Sequence, residues 1–87
     1  MFLYLDIFLV PNTKSALMWF FNNSSSTKSL FSTVFELPAN IEDIDAQKEI
    51  IFNVLLNNAL IIKSDSDQYM ITDLGRDFLR HIGYLSN

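Results

Sequence analysis

The spacing of apolar residues leaves the helical period just after the Asn57-Asn58 pair and returns to it after Thr72, and that interruption narrows the folds open to the chain. Upstream the spacing is helical. Leu17, Phe20 and Phe21 share one face of a helix predicted over 13–22, with Asn12 or Thr13 as its cap. Leu30, Phe31, Val34 and Phe35 make one stripe of a second helix, from about Thr27 to Leu37, which Pro38 closes. A third runs from an Asn40 cap to about Asn58. Glu42, Asp43 and Asp45 place negative charge near its N-terminus, where the helix dipole favours it. The two asparagines suit its C-terminal end, since Asn tolerates the left-handed conformation. Downstream, Leu60-Ile61-Ile62 and Gln68–Ile71 are short runs around an Asp65-Ser66-Asp67 turn, the pattern of a β-hairpin. Thr72 then caps a last helix over 73–83, with Leu74, Phe78 and Ile82 at i, i+4, i+8, Leu79 beside them and Gly83 at its end. The expected fold is therefore mainly α with a small β-hairpin, in one domain spanning residues 1–87.

The N-terminal segment, MFLYLDIFLV, is apolar, and so short a run reads equally as helix or strand. A membrane span needs about 20 apolar residues. A signal peptide needs a basic start and a small-residue cleavage site. No Lys or Arg precedes Lys14, and Asp6 interrupts the run, so residues 2–10 are expected to be a core or interface segment. The chain lacks cysteine, which excludes disulfides and thiolate metal sites and fits a reducing, cytoplasmic setting. Hydrophobic residues make up 49% and aromatics 14%, and mean hydropathy is +0.20. One core of this size should not enclose them all, so apolar surface should remain for a partner. On that ground Phe2, Tyr4 and Phe8 are assigned to a homodimer interface and Trp19 to protein interaction.

The local sequence adds a resemblance. The passage Tyr69-Met70-Ile71-Thr72-Asp73-Leu74-Gly75-Arg76-Asp77-Phe78-Leu79 resembles the wing-to-helix passage of winged-helix domains. There an apolar strand and turn lead to Y-x-I/L-T, and a glycine follows in the next helix. By period two, Tyr69 and Ile71 share a strand face. Gly75 lets the first turn of the last helix approach a neighbouring backbone. The resemblance implies a winged helix-turn-helix fold: three helices, a wing and a C-terminal helix. It implies a role far less sharply, since members of the family either regulate transcription or bridge proteins.

Charge bears on that choice. Ten acidic and six basic residues give a net charge of -4, whereas duplex-binding domains usually present a basic face. The third helix would occupy the recognition position. At ~100° per residue, Ile44, Ile50, Ile51, Val54 and Leu55 cluster on one side, expected to face the core. Asp45, Glu49, Phe52, Asn53 and Leu56 fall on the other. Two carboxylates there would repel phosphate, whereas Phe52 and Leu56, flanked by Asp45 and Glu49, suit a protein partner. If DNA is bound, the cations placed for phosphate are Lys28, Lys48 and Lys63.

No catalytic constellation is expected. His81 is the single histidine and no nucleophile–base pair accompanies it. Asp65-Ser66-Asp67 opens like a calcium loop, but the glycine and downstream glutamate of such loops do not follow. No cofactor, metal or membrane association is expected. The expected role is a small acidic regulatory protein-interaction module or adaptor acting as a homodimer. The rival is a winged-helix transcriptional regulator that binds duplex DNA.

Overall fold

The computed structural model describes residues 10–82. Phe2, Tyr4, Phe8 and Gly83 lie outside them. Four helices and one hairpin follow in the order α1 (Thr13–Asn22), α2 (Lys28–Val34), α3 (Ile44–Asn57), β1 (Ile61–Lys63), β2 (Tyr69–Ile71) and α4 (Asp73–His81). The chain is mainly helical with a small antiparallel hairpin, as the change of period implies.

Side-chain oxygens start three of the helices. Thr27 Oγ1 accepts from the Leu30 amide, Asp43 Oδ1 from Ala46 and Thr72 Oγ1 from Gly75. Each satisfies one of the amides left over in a first helical turn. The cap of α3 is thus Asp43, not Asn40. Asn40 lies in a turn closed by the Ile41 amide and the Pro38 carbonyl. Asn12 sits at the start of α1 in the left-handed region, with no side-chain cap bond. The second helix is shorter than its apolar stripe. Phe35 is already extended at φ -68°, ψ 125°, and the approach to Pro38 disfavours helix at Leu37.

The end of α3 also departs from expectation. The left-handed residue is Ala59, at φ 58°, rather than either asparagine. The Leu60 amide reaches the Leu55 carbonyl and the Ala59 amide the Leu56 carbonyl, the paired bonds of a Schellman motif. Asn58 instead uses its side chain, Nδ2 donating to the Val54 carbonyl.

In the hairpin, Ile61 opposes Ile71, Ile62 opposes Met70 and Lys63 opposes Tyr69. Period two turns Ile61 and Ile71 into the core and leaves Ile62 and Met70 outside. Ser26, between α1 and α2, extends this small sheet. Its amide donates to the Tyr69 carbonyl and its carbonyl accepts from the Tyr69 amide.

The core gathers Ala16, Leu17 and Phe20 from α1, Phe31 and Phe35, Ile51, Phe52 and Leu55 from α3, the inner strand residues, and Phe78 and Leu79 from α4. Phe31 stacks between Phe20 and Phe35, with ring centroids 5.0 and 4.9 Å away. Every aromatic residue among the described residues is buried or half-buried. In this part of the chain the core takes up more aromatic surface than composition suggested. The apolar residues left outside are aliphatic or Met: Leu30, Val34, Ile44, Ile50, Ile62, Met70 and Leu74.

Gly75 lies in the first turn of α4, fully packed. A Cβ built there would run into the Leu60 carbonyl oxygen and come within 2.7 Å of Ile71 Cγ1. Thr72 ties the same place together, its hydroxyl donating to the carbonyls of Ala59 and Leu60. The hairpin and α4 therefore close on each other through backbone, as the sequence passage implies.

Candidate interaction surface

Helix α3 carries most of the residues singled out by sequence, and it is rotated from the expected orientation. Its buried side chains are Lys48, Ile51, Phe52 and Leu55. On a wheel of ~100° per residue this arc is turned by roughly 70° from the predicted one. Phe52 is therefore not a surface residue. It is 2% exposed, with Phe20 and Phe31 around it and the Tyr69 ring edge-on at 4.8 Å. Leu56 is half-buried against the core. Conversely Ile50, expected inside, is 48% exposed, and Ile44 is also exposed. The physical reason is α2, which docks on the flank that the wheel left open. There Lys28 meets Glu49 and Lys48 meets Ser32. Burying the Phe52 ring between α2, α1 and the hairpin removes more apolar area than burying Ile50 would.

The outer face of α3 that results is Asp45, Ala46, Glu49, Ile50, Asn53 and Asn57, all exposed. Asp45 and Glu49 thus stay at the surface, now with Ile50 rather than Phe52 and Leu56 beside them. Trp19 is half-buried. It meets Phe20 and Phe31 edge-on, at 5.0 and 5.3 Å, so much of its ring is held within its own chain.

The three candidate phosphate-binding lysines do not form a common patch. Lys28 Nζ donates to Glu49 Oε1 at 2.8 Å and lies 5.1 Å from the centroid of the Phe52 ring. Lys48 is only 8% exposed, and its ammonium donates to the Ser32 carbonyl at 2.6 Å. Its expected position as a surface contact is thereby corrected: the amine serves an otherwise open carbonyl of α2. Lys63 pairs with Asp67 at 3.0 Å across the hairpin turn. The hydrogen bond and charge of Asp67 hold the Lys63 ammonium above its ordinary pKa. On α4, Arg76 pairs with Asp73 and Arg80 with Asp77.

Sequence reasoning missed the outward pair Ile62 and Met70, directly opposite each other on the hairpin. Period two carried the signal: once Tyr69 and Ile71 face inward, Met70 and its partner must face out. It also missed Leu30 and Val34, which sit one turn apart on the open side of α2.

Among the described residues no group of three His, Cys, Asp or Glu side chains is placed to hold a metal ion. His81 is exposed in the last turn of α4. No helix among them is long and apolar enough to cross a membrane. No protein-family model, no curated protein and no solved structure matches the chain.

Proposed function

We propose that this chain is a small winged-helix module that works by protein contact, as a homodimer or as an adaptor, in a cytoplasmic setting, and carries out no chemistry of its own. The fold reading rests on the element order, on the Thr72 and Gly75 closure of the hairpin onto α4, and on Ser26 tying the wing to the helical part. One observation carries the functional reading: the division of labour at the surface. Lys28, Lys63, Arg76 and Arg80 are each bonded to a carboxylate, and Lys48 is buried. Large aliphatic side chains meanwhile stand outside the core on α2, α3 and the hairpin. Phosphate would have to compete with those carboxylates for each cation, and would meet Asp45 and Glu49 on the helix offered to it. An apolar partner surface would meet no such opposition, with the acidic residues as its rim.

Sedimentation at micromolar concentration, beside a titration with mixed-sequence duplex DNA, tests the reading. The expected result is a species heavier than the 10.0 kDa monomer and no retention of duplex at physiological salt. A lone monomer counts against the homodimer. Sub-micromolar affinity for duplex at physiological salt would replace this reading with the DNA-binding regulator.

A further inference from the structure

Four contacts around the hairpin close into a ring. The Ser26 and Tyr69 backbones exchange two hydrogen bonds, of 3.1 and 2.7 Å. The Tyr69 ring meets the Phe52 ring edge-on. The Lys28 ammonium lies over that same Phe52 ring and donates to Glu49, one turn earlier on α3. Lys28 itself is two residues beyond Ser26, at the start of α2. Lys28 thus joins the start of α2 to α3 as a half-exposed cation, whose partner Glu49 is also half-exposed, beside the buried link from Lys48 to the Ser32 carbonyl.

We propose that Lys28 is a charge-operated latch that keeps the Ser26–Tyr69 bridge closed by holding the start of α2 against α3. The two contacts of its ammonium are the only links in the ring that ionic strength can weaken, since the others are backbone bonds and ring packing. When Lys28 lets go, Ser26 loses the restraint two residues downstream, and the Ser26–Tyr69 bridge opens while Ile61 and Ile71 stay in the core. Local opening of this kind costs less than global unfolding and is read by amide exchange. The inference stands whether the partner of this chain is protein or DNA.

The test is amide hydrogen exchange of the full chain and of the Lys28→Met variant, at low and at high salt. Met retains most of the side-chain bulk and removes the charge. The amides of Ser26 and Tyr69 are the reporters, and Leu55, deep in α3, is the control. The expected result is exchange about fivefold faster at both reporters in the variant, with the control unchanged. High salt should speed the reporters in the parent chain and leave them unaltered in Lys28→Met. Glu49→Gln should reproduce part of the effect. Reporters that do not accelerate, or that accelerate only together with Leu55, would overturn the latch, as would a salt response that survives the loss of Lys28.

Discussion

Ala59 holds a backbone conformation that costs an L-residue about 1 kcal/mol or more, at φ 58° in the Schellman turn that ends α3. Its side chain is exposed, so the methyl contributes little packing to set against that strain. Ala59→Gly is therefore expected to stabilise the domain by about 0.5–1 kcal/mol, measured as a higher urea midpoint with unchanged slope. A loss of stability would show that the methyl is packed after all. Gly75 is the opposite case. Ala is the better helix former by about 1 kcal/mol, yet its Cβ would meet the Leu60 carbonyl, a backbone atom that cannot swing aside. Gly75→Ala should cost about 1–3 kcal/mol, so the sign of the change in midpoint alone decides whether the close approach exists. The Gly75 packing was legible in the sequence, because the glycine follows a capping Thr after an inward-facing strand. The Ala59 turn was not. Two asparagines stood beside it as better left-handed residues, and nothing local shows that the chain turns one residue later.

Helix α3 shows where periodicity stops informing. A wheel gives the width of an apolar arc, but on a helix carrying Ile, Phe, Val and Leu over most of its circumference it does not fix which part faces inward. Docking by α2 and the bulk of Phe52 decided it. The docking partners were themselves hidden, because they are a lysine hydrogen-bonded to a carbonyl and a lysine over a ring. Two serine substitutions separate the orientations. Phe52→Ser leaves a void among Phe20, Phe31 and Tyr69 and should cost about 3–5 kcal/mol, enough to unfold much of a marginally stable domain. Ile50→Ser lies on the outer face and should change stability by about 0.5 kcal/mol or less. Thermal unfolding followed by circular dichroism checks both, and the reverse ranking would restore the orientation read from the wheel.

At the scale of the whole molecule, the composition pointed to surplus apolar surface, and within residues 10–82 that surface is of another kind than the aromatics. Aromatic rings within residues 10–82 went into the core, because flat rings stack in the space between three short helices, as Phe20, Phe31 and Phe35 do. Among the described residues the surplus that remains is aliphatic or Met and distributed by element, and one part of it is the hairpin pair Ile62 and Met70, on adjacent strands in direct register. If self-association uses this outer face, charge placed there should block it. Ile62→Lys together with Met70→Glu sets opposite charges across the strands, where they attract each other and spare the hairpin. Both positions are exposed, so the fold should survive with a change of about 0.5 kcal/mol or less. Sedimentation should then shift toward the 10.0 kDa species at concentrations where the parent chain associates. Association that persists in the double variant, with the hairpin intact by amide exchange, would move the contact to another of the exposed aliphatic sites, with Leu30 and Val34 on α2 the next to test.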